Sequence, residues 1–194
     1  MSHHIYHTRG LILSSAPSGE SNKSYKIFTE ELGLVGAHAQ AAREGKSKLR
    51  YILHERTFVT LDLVRGKEVW RIVSAGANRP LEIIKKDPLR TKLFAEFCVL
   101  LARLLHGEGR DQILFEEIER VATFLEETME PSLALSFETM YTFRALAHLG
   151  YLDPILFEKF LSSDSYTREI LNELGAVRSK ILPRITEALS ASHM

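Results

Sequence analysis

Between Ala39 and Arg50 the chain reads Ala-Gln-Ala-Ala-Arg-Glu-Gly-Lys-Ser-Lys-Leu-Arg, placing Arg43, Lys46, Lys48 and Arg50 within eight residues against the single anion Glu44. Cations at that density, with no hydrophobic stripe, describe an exposed loop able to meet several phosphates. Each neutralised phosphate releases condensed counterions, so such a loop grips a nucleic-acid backbone without reading its sequence. A merely solvated loop has the same composition, and spacing alone leaves both readings open. Ser47 can order the loop or donate to a phosphate. Lys23, Lys26 and Arg9 can extend the same basic track.

Other chemistry finds little support. Gly45-Lys46-Ser47 has the form of the end of a phosphate-cradling loop, yet that motif needs a glycine five positions earlier, where Gln40 stands. No GxSxG, HExxH, GxGxxG or EF-hand pattern occurs. Glutamates 116, 117, 119, 126, 127 and 130 fall mostly on the wet side of an amphipathic helix, so they read as solvated charges. Cys98 lies between Phe97 and Val99 and reads as a buried, inert thiol. His3, His4 and His7 suit a frayed terminus better than a metal site. Tyr25, Phe28 and Trp70 can fill a core or stack on bases, with core filling favoured. The expectation is a protein without catalytic residues, metal or cofactor.

The chain has 194 residues, 45% of them hydrophobic and 26% charged, enough to bury a real core. Its longest apolar run, Phe97 to Ala102, is far short of the roughly 20 residues that cross a bilayer, and no secretory signal precedes it. A cytoplasmic protein with no membrane partner is expected. The single cysteine excludes an internal disulfide framework and a thiolate zinc cluster. A net charge of zero conceals an asymmetry: residues 1–80 hold 12 Lys and Arg against 7 Asp and Glu, residues 81–194 hold 13 against 18. The two halves therefore present different surfaces to their partners.

The elements that must position the cations change at the same place. From Ile5 to Val73 the apolar residues alternate, predicting strands at Ile5–Ser14, Lys23–Thr29, Leu34–Ala39, Thr57–Val64 and Lys67–Ala75, the last two joined by a two-residue Arg65-Gly66 hairpin. Beyond Asp87-Pro88 the period is helical. Leu93, Phe97, Leu100, Leu101, Leu104 and Leu105 form one stripe, and Leu114, Ile118, Val121 and Leu125 another. Phe137, Met140, Tyr141, Phe143 and Leu146 leave little polar face, so the helix ending near Gly150 should be central. Gly150 suits a left-handed stop, Asp153-Pro154 a new start, and Pro183 a kink or restart in the last helix. The predicted class is α+β: a five-stranded OB-fold β-barrel in residues 1–80, then an all-helical domain in residues 81–194.

Several segments taken together resemble one family. Tyr6-His7-Thr8-Arg9-Gly10-Leu11-Ile12-Leu13, Gly19-Glu20-Ser21, Phe28-Thr29-Glu30-Glu31-Leu32-Gly33-Leu34-Val35, Ala42-Arg43 and Lys46-Ser47-Lys48-Leu49 match, in order and spacing, the amino-terminal OB domain of the bacterial DNA repair RecO family. Phe94 to Leu105, Leu114-Phe115 and Phe143 to Tyr151 extend the resemblance more weakly. It implies a recombination mediator without enzymatic turnover that binds single- and double-stranded DNA and anneals strands. It further implies engagement of RecR and of the single-stranded DNA-binding protein, and help in loading RecA. Where the family usually has Lys and Gly before its Ala-Arg pair, this chain has Gln40 and Ala41. Where a Gln-Pro-Phe turn is usual, it has His54-Glu55-Arg56-Thr57-Phe58. The four-cysteine zinc site of many members has no counterpart.

The resemblance also implies a receptor in the helical domain for the acidic, apolar-tipped tail of the single-stranded DNA-binding protein. Such a groove needs a cation at its rim, and the candidates are Arg103, Arg144, Arg178 and Lys180. An internal ion pair is the competing role for Arg144. Two other functions fit the residues alone: an OB barrel that binds a protein, and one that binds RNA.

Overall fold

A computed structural model describes residues 4–153, 155, 157–162 and 165–192; His3 and Pro154, both singled out above, lie outside them. The alternating segment forms β1 (Ile5–Ser18), β2 (Asn22–Thr29), β3 (Gly33–Ala39), β4 (Phe58–Arg65) and β5 (Trp70–Arg79). They close into a barrel in the order β1-β2-β3-β5-β4, with β1 returning to β4. One long strand makes this possible. Ile5 to Leu11 pair antiparallel with β4, and Gly10 to Ser18 with β2, the register shifting between Ile12 and Ser14. Such a bulge bends a strand from one neighbour toward the next. Gly10 pairs on both sides, and a Cβ there would lie 2.9 Å from Ile27 Cγ2 and 3.2 Å from the Phe28 carbonyl oxygen. Parallel pairing of Ala37 with Trp70 and His38 with Arg71 seals the other side.

Val59, Leu61 and Leu63 point inward with Ile12, Ile27, Val35 and Trp70, while Thr60 is exposed. Each fully buried aliphatic side chain here contributes about 1.5 to 3 kcal/mol relative to exposure. Three details depart from the alternation. β1 runs on to Ser18. β5 starts at Trp70, because Gly66 N–H donates to the Val69 carbonyl at 3.0 Å and closes a longer Gly66–Val69 connection than a two-residue hairpin. The basic segment is not all loop: it ends in α1 (Lys48–Ile52). Leu49 and Ile52 pack half-buried against the barrel core beside buried Leu53, an apolar spacing that winds one helical turn.

The chain divides into two compact units, residues 1–81 with 105–115, and residues 82–104 with 116–194. In the first, the 105–115 segment lies on the barrel. Gly109 N–H donates to the Leu32 carbonyl at 3.1 Å, Trp70 Nε1 donates to Glu108 at 3.0 Å, and the Phe115 ring packs on Phe28.

The second unit contains α2 (Glu82–Lys86), α3 (Pro88–Leu104), most of α4 (Gln112–Glu127), α5 (Ala134–His148), α6 (Lys159–Ser162) and α7 (Arg168–Ala191). α5 buries Phe137, Met140, Tyr141, Phe143 and Leu146, as its all-round apolarity predicts. Its rings meet Phe97, Phe124 and Tyr166 at centroid distances of 4.6 to 4.9 Å. Gly150 takes φ +77° after α5, with Gly150 N–H on Ala147 and Tyr151 N–H on Leu146, a Schellman stop. α7 continues through Pro183, so the proline neither ends nor restarts it. Cys98 is buried in α3. None of the described helices is long and apolar enough to cross a membrane.

Candidate nucleic-acid interface

The β3 to β4 connection carries the cations and is held to the barrel by its backbone. Asn22 Oδ1 accepts from Ala41 N–H at 3.0 Å, and the Ser21 carbonyl accepts from Arg43 N–H at 2.9 Å. Ala42 is buried, so the chain is pinned before the charged residues begin. Ala41 adopts φ 52°, a left-handed conformation that costs a residue with a Cβ roughly 1 to 2 kcal/mol. Ser47 is the N-cap of α1 but makes no side-chain cap bond.

This pinning brings Arg43, Arg50 and Lys23 together. With Pro17, Tyr25 and His54 they line an open cleft of about 450 Å³ at the barrel mouth. Arg43 Nη1 donates to the Gly19 carbonyl at 3.1 Å, which fixes the guanidinium beside the β1 to β2 turn. Lys23 Nζ stands 5.4 Å from the centre of the Tyr25 ring. Burial pushes the Tyr25 phenol up. Lys46 and Lys48 are exposed on the same connection but do not line the cleft.

Lys26 belongs to a neighbouring surface. A second cleft, of about 290 Å³, lies over β1, β2 and β3 and is lined by Ser24, Tyr25, Lys26, His38 and Val69 among others. OB folds receive oligonucleotides on their strand 2 to 3 face and on the loops joining strands 1 to 2 and 4 to 5, and Val69 lies in the last of these. Tyr25 lines both clefts, so the two surfaces adjoin.

Two of the predicted contact residues have partners within the protein. Arg9 Nε and Nη2 each donate to Glu30 at 2.8 Å, and its guanidinium stands 5.3 Å from the centre of the Phe115 ring. Arg144 is not at the rim of a groove. It is buried, donates to Glu117 at 3.3 Å and to the Phe160 carbonyl at 2.8 Å, and lies over the Tyr166 ring. Glu117 is accordingly buried too, against the wet-face reading of that glutamate. Arg103 donates to the Leu189 carbonyl at 2.6 Å near the end of α7, and Arg178 Nε to Thr139 Oγ1 at 2.9 Å. Both are bonded within the helical unit, and Arg103, like Lys180, is exposed.

Sequence reasoning missed His54, His38 and Val69. His38 was within reach, since Ala37 and Ala39 are buried and the residue between them must face outward. For His54 no local signal exists, because its place depends on where α1 ends.

A closed five-stranded barrel with a helix between its third and fourth strands and cations at its mouth defines an OB-fold protein. Residues 1–77 match the family described as Recombination protein O N terminal. The DNA repair protein RecO of Clostridium novyi is 30% identical over 124 residues, 63% of this chain and 48% of that protein. Those of Halalkalibacterium halodurans and Synechococcus sp. are 22% and 27% identical, over 66% and 76% of this chain and 51% and 55% of theirs. Residues 1–77 carry the amino-terminal domain of the RecO family, and the chain spans about half the length of the curated relatives it matches.

Proposed function

We propose that this chain acts in DNA repair as a recombination mediator, holding single- and double-stranded DNA by its phosphates and promoting strand annealing without catalytic turnover. The observation that carries the reading is the convergence of Lys23, Arg43 and Arg50 on one open cleft of an OB barrel. Lys26, Lys46 and Lys48 extend the positive surface on either side, and Ser47 can add a hydroxyl donor. Two strands whose backbones are neutralised repel each other less, which is how a protein with no active site speeds their pairing. In this reading the chain works with RecR, engages the acidic tail of the single-stranded DNA-binding protein, and helps RecA onto DNA. Among the rim cations proposed for that tail, Arg103 and Lys180 are exposed.

Titrating a labelled single-stranded oligonucleotide across a salt series tests the proposal. If about four phosphates are neutralised, log affinity should fall with log salt at a slope near −3. A flat response favours a protein-binding barrel instead. Tighter binding to RNA of the same sequence favours an RNA-binding role.

A further inference from the structure

We infer that Tyr51 is a stacking platform for a nucleobase and gives the basic face its preference for single strands. This rests on the DNA-binding reading above and adds a residue that reads bases rather than phosphates.

The aromatics of the barrel are otherwise committed. Tyr25, Phe28 and Trp70 are buried, Trp70 is bonded to Glu108, and Phe28 is covered by Phe115. The Tyr6 ring stands edge-on to Trp70 at 5.1 Å. Tyr51, by contrast, is 70% exposed. Its place on α1 explains why. The helix turns its apolar residues Leu49 and Ile52 to the barrel, with Leu53 buried just beyond. At about 100° per residue, Tyr51 then lies nearly opposite that face, with Lys48 to one side and Arg50 to the other. A large flat ring is thus presented between two cations in the segment that grips phosphates.

That pairing of charge and ring is what single-stranded binding uses. The cations hold the backbone, and an unpaired base lays its face on the ring. In a duplex the bases are already stacked on one another, so Tyr51 adds nothing there.

Affinity for an oligothymidylate and for a duplex of equal length, each across a salt series, tests this in the full chain. Tyr51→Ala should weaken single-strand binding about tenfold, leave duplex binding unchanged, and leave the single-strand salt slope as it was. Tyr51→Phe should retain wild-type affinity, since the ring and not the hydroxyl makes the contact. With the wild-type chain, irradiating a bromouracil-substituted strand should crosslink it to the peptide containing Tyr51. Equal loss on both substrates, no loss on either, or loss in Tyr51→Phe overturns the stacking role while the phosphate grip stands. A wild type that binds neither substrate with a salt-dependent slope overturns the DNA-binding reading itself, and this inference with it.

Discussion

Arg144 Nη1 lies 3.3 Å from Glu117 Oε1, and the two side chains are only 5% and 8% exposed. The Tyr166 hydroxyl donates to the same carboxylate, and its ring lies 4.7 Å beneath the guanidinium. Burial, then the Glu117 charge, hold that phenol well above its ordinary range, so it remains a donor. Three long-range partners, on α4, on α5 and just before α7, are therefore joined through one charge pair.

Glu117 also accepts from Arg120 Nε at 2.9 Å, so it keeps one cation when Arg144 is removed. Arg144→Ala should therefore destabilise the helical unit by less than the roughly 3 to 5 kcal/mol of breaking an isolated buried pair. Glu117→Leu combined with Arg144→Met should recover much of the loss. Urea denaturation followed by circular dichroism measures both, and an Arg144→Ala protein as stable as wild type would refute the pairing energetics.

The cations at the barrel mouth should behave in the opposite way, changing binding but not folding. Arg43→Ala with Arg50→Ala should reduce the magnitude of the single-strand salt slope by about 1.4, one step of roughly 0.7 per phosphate lost. Lys46, Lys48 and Arg50 replaced together by Ala should weaken binding about equally for all sequences. Their melting curves should match wild type, since each of these side chains is exposed.

Arg9→Ala should leave that salt slope intact and act on the barrel instead. The Arg9 hydrogen bonds hold the Glu30 carboxyl below its ordinary value of 4.5. A carboxyl depressed on folding contributes stability above its unfolded pKa and loses it as pH falls through the folded one. The pair is partly exposed and screened, so the loss at pH 7 should be at most about 1 kcal/mol. The gap between variant and wild type should close as the solution is acidified below pH 4.5, which melting curves at two pH values will show.

Ala41→Gly should stabilise the barrel by about 0.5 to 1 kcal/mol. The left-handed φ at Ala41 is strained for alanine and free for glycine, and the gain is reduced by the glycine's larger unfolded-state entropy. Denaturant midpoints compare the two directly; a less stable variant would show that the conformation carries no strain.

The barrel was legible because its signals are local. Alternation at Val59 to Leu63 records which side of a strand is wet, and Gly150 after an apolar helix records a left-handed stop. The basic segment 43–50 announced itself by charge density, and Cys98 by its apolar neighbours. The apolar spacing of Leu49, Ile52 and Leu53 was also present, but the surrounding charge concealed a helix of a single turn.

Partner choice was decided by the tertiary structure alone. Arg9, Arg43 and Arg144 are the same residue type, yet one is clamped by Glu30, one faces an open cleft, and one is buried on Glu117. Those outcomes depend on residues 21 and 27 positions away in the two pairs, brought close by barrel closure and helix packing. The sequence determined the five strands, the helices that follow and the cationic segment, because periodicity and composition act over a few residues. Which cations remain available to a phosphate, and that Tyr51 stands among them, followed only from the fold, because burial and ion pairing are properties of neighbours in space.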